Sequence, residues 1–177
     1  NARPGDLILL NGRIAEHGMA VMSVREGFEF ESPIVSDTAP LNELVGEMLK
    51  ISKNIHVLRD PTRGGLATTL NEIATQSNVG ILLNEEAIPI HPEVAAACEM
   101  LGFDPLYIAN EGKLVTMVAR EDVDRILKTM RSTRYGEDAV IIGEVTADPR
   151  GRVLLKTTLG TTRIVDMLAG EMLPRIC

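Results

Sequence analysis

The sequence has 177 residues, 45% of them hydrophobic, which is enough for one medium-sized domain with its own core. Its formal net charge of −7, its 3% of aromatic residues and its lack of tryptophan argue against a nucleic-acid partner, because such partners require basic or aromatic surfaces. No stretch approaches the roughly 18 apolar residues needed to cross a bilayer, and no secretory signal opens the chain, so a cytoplasmic protein without a membrane partner is expected.

The first residues are predicted to lie outside the fold. The sequence opens with Asn1 rather than methionine, and residues 1–4 look like a tag remnant and leader. The apolar run at residues 7–10 then predicts a buried strand. In the stretch that follows, the pair His17-Gly18 is a turn signal, and the apolar residues around it favour a short helix.

Two helices separated by a strand are predicted next. The first has apolar residues at helical spacing, Pro40 in its first turn and Asp37 or Thr38 as its cap. The second follows a short strand that ends near Arg59, and it is predicted to stop at Asn78.

The second half of the chain continues to alternate strands and helices. The order predicts an α/β (α+β) fold in which helices cover one mixed β-sheet, with one domain over residues 5–166 and a mobile C-terminal tail at residues 167–177. Strand patterns lie within residues 80–90, 112–119, 139–147 and 152–158, and helix patterns lie within residues 91–102 and 120–132.

The strongest internal signal is the sequence RDPTRGG at residues 59–65, between a predicted strand and a predicted helix. Gly64 and Gly65 would let the backbone approach a ligand, and the helix that follows would point unpaired N–H groups at it. Arg59 and Arg63 would add positive charge, so the composition suits an anion site. It is neither a Walker A loop nor a dinucleotide-binding fingerprint, and a tight turn with solvated arginines would explain the same residues.

A second candidate is Glu111, in the turn Asn110-Glu111-Gly112 directly before a predicted strand. A carboxylate at such a place can be partly desolvated, as a general base requires, although the sequence is also that of an ordinary hairpin turn. His17 could face a bound phosphate, but a plain turn residue is the simpler interpretation. The three histidines and two cysteines show no metal-ligand spacing, so no metal site is expected in this chain.

The last residue, Cys177, needs an explanation other than packing, because chain ends fray unless they are tied down. A terminal thiol can be a free end without a role, a redox group or a covalent carrier. The residues from Met167 onward could span roughly 30 Å if extended, which is enough to enter a distant pocket. The other cysteine, Cys98, lies among small apolar neighbours and is expected to be structural.

Four stretches carry a resemblance to a known family. GDLILLNGRIAEHGMAVMSVREG, RDPTRGGLATTLNEIA, ANEGKLV and the ending PRIC resemble the HypE proteins, which mature [NiFe] hydrogenases. These belong to the superfamily of aminoimidazole ribonucleotide synthetase (PurM) and selenophosphate synthetase. The likeness runs from Gly5 to Cys177, and it implies a fold like the PurM C-terminal domain.

The resemblance also implies a function. In HypE proteins a HypF-like carbamoyltransferase carbamoylates the terminal cysteine, ATP with Mg²⁺ drives its dehydration to a thiocyanate, and the cyanide passes to iron on a HypC–HypD complex. By this likeness Cys177 is the carrier and Glu111 the general base, and His17 lies near substrate phosphate. The phosphate- or ATP-binding residues would be Arg59, Asp60, Thr62, Arg63, Gly64 and Gly65.

One departure from the family pattern is large. HypE proteins have an N-terminal domain that forms the homodimer and supplies most ATP and magnesium ligands, and nothing in this chain resembles it. The isolated chain is therefore expected to bind ATP weakly or not at all and to be catalytically silent. The rival interpretations are another ATP-dependent synthetase of the superfamily and a partner-docking module without covalent chemistry.

Overall fold

One mixed sheet of seven strands forms the centre of the part of the chain that the structure describes. The computed structural model describes residues 1–27 and 33–168. The strands are β1 (Leu7–Leu10), β2 (Ile55–Arg59), β3 (Gly80–Asn84), β4 (Val115–Val118), β5 (Val140–Thr146), β6 (Arg152–Lys156) and β7 (Thr162–Val165). They lie in the order β2-β4-β1-β5-β3-β6-β7. Strands β3 and β6 pair in parallel, and the other pairs of these seven strands are antiparallel.

Helices cover both faces of this sheet. They are α1 (Glu16–Glu26), α2 (Asn42–Ile51), α3 (Gly65–Ser77), α4 (Pro92–Leu101) and α5 (Val123–Arg131). Ile8 and Leu10 pack into the core under α3, whereas Leu9 packs into the core under α2 and α5. Because successive strand residues point to opposite faces, a strand covered on both sides must be apolar throughout, and this accounts for the continuous apolar run of β1.

The predicted fold class is confirmed. The strand at Leu7–Leu10 has the predicted bounds, and α3 ends where expected, with Asn78 in the left-handed conformation as its C-cap. Helix α4 likewise ends at Gly102, also left-handed. These ends are set by local backbone chemistry, because glycine and asparagine tolerate a positive φ.

Three local predictions are wrong. Helix α2 begins at Asn42 after Leu41, so neither Asp37 nor Thr38 is its cap. His17 and Gly18 lie in the first turn of α1 rather than in a turn between elements, because Ala15 takes the left-handed φ of 73° and the helix begins directly after it.

The third error is an omission, because the edge strand β7 (Thr162–Val165) was not predicted. It pairs with β6, and its burial pattern has one fully buried residue among four, Val165. A short strand with so little burial has no clear period-2 pattern, so pairing with its neighbour decides it.

Residues 1–3 contact the domain, so the prediction that the first residues lie outside the fold is wrong. Ala2 is buried in the core beside α3, and its N–H donates to Ser77 Oγ at 3.2 Å. The origin of residues 1–4 as a tag remnant stays a prediction, as does the division of the chain at residue 166. No helix in the described ranges is both long enough and apolar enough to span a membrane.

Candidate functional site

A buried asparagine, Asn110, joins three segments of the chain. Its Oδ1 accepts a hydrogen bond from the Ala15 N–H at 2.8 Å, and its Nδ2 donates to Pro61 O at 2.9 Å and Ile108 O at 3.1 Å. Each buried polar group left without a partner costs about 1–3 kcal/mol, so this network holds the segments in fixed relative positions. The start of α1, the RDPTRGG loop (residues 59–65) and the NEG turn (residues 110–112) therefore meet at Asn110.

The charged residues of the RDPTRGG loop lie on the surface. Arg59 is 42% exposed in its side chain, and its Nη2 donates to Glu72 Oε2 of α3 at 2.8 Å. Asp60 and Arg63 are exposed as well, whereas Thr62 is half-buried and its carbonyl accepts the Gly65 N–H at 3.0 Å. The loop thus carries two exposed arginine side chains, of which Arg59 is paired with the middle of α3.

The two glycines of the loop are required by the protein's own packing. Gly64 and Gly65 have φ values of 70° and 62°, which other residues rarely adopt. A Cβ on Gly65 would lie 2.5 Å from Leu106 O and 2.6 Å from Ile108 O, and one on Gly64 would lie 2.1 Å from Thr68 Oγ1. The close backbone approach predicted for a ligand at Gly65 is therefore made by residues 106–108.

Asp37 holds the NEG turn through its carboxylate. Its Oδ1 accepts the Glu111 N–H at 3.1 Å, and its Oδ2 lies 3.0 Å from Lys113 Nζ. A Cβ on Gly112 would lie 1.8 Å from Asp37 O, so a side chain there would push the two segments apart. Lys113 Nζ also lies 3.6 Å from Glu16 Oε2, which connects the turn to α1.

A second buried asparagine, Asn11, holds the other side of the turn. Its Nδ2 donates to Gly112 O at 3.1 Å and Tyr135 O at 2.8 Å, and its Oδ1 accepts the Leu114 N–H at 2.7 Å. Beside it lies a polar cavity of about 150 Å³. Its lining includes Asn11, Arg13, Glu16, Asp37, Lys113 and Asp138.

The predicted site residues are partly brought together. Glu111 is half-buried in the NEG turn, one residue after the asparagine that binds the RDPTRGG loop. His17 is half-buried in the first turn of α1, where its Nδ1 lies 2.8 Å from Ser36 Oγ. Its neighbour Gly18 donates its N–H to Ala109 O at 3.0 Å, so His17 lies beside the same junction. Cys177 lies outside the described residues.

Sequence reasoning missed the residues that hold the turn. Asn11 and Lys113 were not singled out, and Asp37 was assigned to a helix cap. Lys113 offered a local signal, because a lysine between a glycine turn and a buried strand is expected to need a counter-charge. In the structure its side chain is 11% exposed. Nothing local indicated that Asp37 would supply it.

The thiol of Cys98 is buried in the core between α1 and α4. Burial, and to a smaller extent the negative charge of Asp104, raises its pKa to about 11. The thiol therefore stays protonated at neutral pH, as the structural role expected for Cys98 requires.

Comparison with known proteins assigns the chain to a family. The sequence pattern of the family described as "AIR synthase related protein, C-terminal domain" matches residues 3–156. The chain belongs to this family.

The predicted resemblance to HypE proteins is confirmed as well. The chain is 57% identical over 176 residues to a protein of Cupriavidus necator named carbamoyl dehydratase HypE, covering 99% of this chain and 50% of that protein. A crystal structure of the hydrogenase maturation protein HypE in complex with ATP is 46% identical, with a TM-score of 0.94 over 99% of this chain and 54% of the other. A structure of a HypE–HypF complex is 50% identical, with a TM-score of 0.90 over 94% of this chain and 54% of the other.

The chain spans about half the length of these relatives.

Proposed function

We propose that this chain is the C-terminal part of a HypE-like carbamoyl dehydratase. In this proposal Cys177 carries a carbamoyl group, which the full-length protein dehydrates with ATP to a thiocyanate. The thiocyanate then donates the cyanide ligand of the iron in a [NiFe] centre. The chain's 57% identity with a carbamoyl dehydratase HypE over 99% of its length supports the reaction class.

The observation that carries the proposal for the site is the pair of hydrogen bonds that Asn110 donates to the RDPTRGG loop. Its Nδ2 and its backbone N–H both donate to Pro61 O, at 2.9 and 3.3 Å. A proposed base, Glu111, and a proposed phosphate-facing loop are therefore neighbours on one edge of the domain. Dehydration needs both functions together, because the oxygen must leave as phosphate while a base removes the N–H protons.

Each group in the chain has a defined part in this reaction. The Cys177 sulfur holds the carbamoyl group. Glu111 accepts one proton of its amide nitrogen as the amide oxygen takes the phosphoryl group and ADP leaves, and passes that proton to water. It then accepts the second proton as phosphate departs and the triple bond forms. Asp37 orients Glu111 through the Glu111 N–H, at 3.1 Å. ATP, when bound, supplies the phosphoryl group that makes the oxygen a good leaving group.

The described residues fit a phosphate better than a metal ion. Thr68 Oγ1 is buried beneath the glycine turn without a hydrogen-bond partner among the described residues, and Arg63 is exposed on the same loop. We propose that Arg59, Asp60, Thr62, Arg63, Gly64 and Gly65 face the phosphates of ATP and that His17 borders them. By the resemblance to HypE proteins, we assign Mg²⁺ to the N-terminal half of the full-length protein.

The proposal includes partners and location. The crystal structure of a HypE–HypF complex, 50% identical to this chain, supports a HypF-like carbamoyltransferase as the donor. A HypC–HypD complex would accept the cyanide, and the full-length protein would be a cytoplasmic homodimer.

Intact-protein mass spectrometry of the full-length protein tests the proposal. After incubation with HypF, carbamoyl phosphate and ATP, the wild type should gain a carbamoyl group and then lose water, whereas Cys177→Ser should gain nothing. Glu111→Gln should keep the carbamoyl group without losing water. Glu86→Gln, at an exposed glutamate, is the matched control and should behave as the wild type. Absence of an adduct on Cys177 would contradict the carrier role and favour a docking module.

A further inference from the structure

Lys113 is a mostly buried lysine that contacts two carboxylates. Its Nζ lies 3.0 Å from Asp37 Oδ2 and 3.6 Å from Glu16 Oε2. Asp37 is the nearer and the more buried of these partners, since its side chain is 1% exposed and that of Glu16 is 21% exposed. A buried charge that is left unpaired is costly, so the ammonium and the Asp37 carboxylate depend on each other.

The two carboxylate oxygens of Asp37 have different environments. Oδ1 accepts the Glu111 N–H at 3.1 Å, whereas Oδ2 is buried and accepts no hydrogen bond within the described residues. The charge at Oδ2 is therefore balanced by the Lys113 ammonium, 3.0 Å away. Without that ammonium the carboxylate would turn toward water. Because both oxygens belong to one rigid group, Oδ1 would then leave the Glu111 N–H.

The chain around Asp37 is held at its ends rather than at the carboxylate. Residues 33–41 form no helix or strand, and Ile34 and Leu41 pack on the core near the two ends of this segment. The residues on either side of Asp37 are exposed. The position of the Asp37 side chain therefore depends on its polar contacts, and the contact with Lys113 carries the charge.

We propose that Lys113 is a positioning residue for Glu111. Its ammonium holds the Asp37 carboxylate, and that carboxylate holds the Glu111 N–H in the NEG turn. The contribution to catalysis rests on the proposed function, in which Glu111 is the base, whereas the positioning itself does not.

Hydrogen exchange of the Glu111 N–H measures the positioning without ATP or partners. The full-length protein is isotope-labelled at glutamate nitrogen for NMR, and the signal of Glu111 is the one that Glu111→Gln removes. In Lys113→Met the exchange rate should rise by about tenfold or more, because a hydrogen bond to a charged acceptor is lost. Lys50→Met is the matched control: it removes an exposed ion pair with Glu47, 2.6 Å long, and should leave the rate unchanged.

A second substitution separates the charge of Lys113 from its packing. In Lys113→Met combined with Asp37→Asn, the neutral amide needs no counter-charge, and its oxygen can still accept the Glu111 N–H. The exchange rate should therefore fall most of the way back to the wild-type value. A lysine that only filled space would give no such recovery.

The same variants test the contribution to the reaction. In the carbamoylated full-length protein at saturating ATP, Lys113→Met should lose water more slowly by about tenfold or more, because misplacing a catalytic group by about 1 Å can cost a hundredfold. Adding Asp37→Asn should restore most of the rate. The ATP concentration for half the maximal rate should not change, because Lys113 acts on the base and not on the nucleotide.

The results separate the possibilities. An unchanged Glu111 exchange rate in Lys113→Met, an equal rise in Lys50→Met, or no recovery with Asp37→Asn would overturn the positioning role. Unchanged dehydration despite faster exchange would overturn its part in catalysis. Circular dichroism shows whether Lys113→Met folds, and Lys113→Gln replaces it if it does not. Because the exchange experiment uses no ATP, its failure is distinct from absence of the carbamoyl adduct in the wild type, which would refute the proposed function.

Discussion

Replacing Gly65 by alanine tests whether this glycine serves the fold itself. Gly65 has a φ of 62°, and its Cβ would lie 2.5 Å from Leu106 O, 2.6 Å from Ile108 O and 2.8 Å from the Tyr107 carbonyl carbon. All three are backbone atoms, which cannot rotate away as the end of a side chain can. The substitution must therefore either displace residues 106–108 or move the start of α3.

The expected loss has two parts. Placing alanine at a positive φ costs roughly 1 kcal/mol, and overpacking against fixed atoms costs about 1–3 kcal/mol more. The free energy of unfolding should thus fall by about 2–4 kcal/mol, which for a domain of this size lowers the melting temperature by about 5–15 °C. Gly102→Ala is the matched control, because Gly102 has a φ of 71° and nothing within 4 Å of its Cβ position.

Urea unfolding followed by circular dichroism measures both variants. Gly102→Ala should lose only the conformational part, roughly 1 kcal/mol, and the difference between the variants isolates the steric part. Equal losses in the two variants would refute the packing role of Gly65 and would favour a role in ligand binding alone. A larger loss in Gly65→Ala would mean that impaired ATP use by that variant cannot be assigned to phosphate contact alone.

Two further predictions concern buried polar groups. Asn110→Ala leaves the Ala15 N–H, among other groups, without its hydrogen-bond partner, and should lower the free energy of unfolding by about 2–4 kcal/mol. The control Asn84→Ala, at an exposed asparagine, should change it by less than about 0.5 kcal/mol. Equal urea midpoints for the two variants would contradict this prediction. Hydrogen bonds, foremost from Ser52, lower the pKa of the Asp122 carboxyl in the folded state. The ionised carboxylate therefore adds to the free energy of unfolding at pH values above its unfolded-state pKa, and this contribution is lost as the pH falls through its folded-state pKa. The stability gap between wild type and Asp122→Asn should therefore shrink from pH 7 to pH 3 in urea titrations, and a constant gap would show that ionisation is not involved.

Several features followed from local sequence alone. The apolar run of β1, the end of α3 at Asn78 and the strand-to-helix course of residues 59–65 were all predicted. Each depends on side-chain periodicity or on the φ preferences of a few adjacent residues, which the sequence displays directly. The same local signals marked the NEG turn, and the family resemblance came from short motifs read in order.

Contacts between distant residues decided the rest. Asp37 was assigned to a helix cap, yet it accepts the Glu111 N–H across 74 positions, and Asn110 reaches Pro61 across 49. β7 became a strand because β6 offered it a paired edge. Periodicity and capping rules describe neighbours in the chain, whereas a buried donor or carboxylate takes whichever partner folding brings within about 3 Å. The sequence by itself therefore determined most of the elements and the family, and only the tertiary structure decided that the NEG turn and the RDPTRGG loop meet at Asn110.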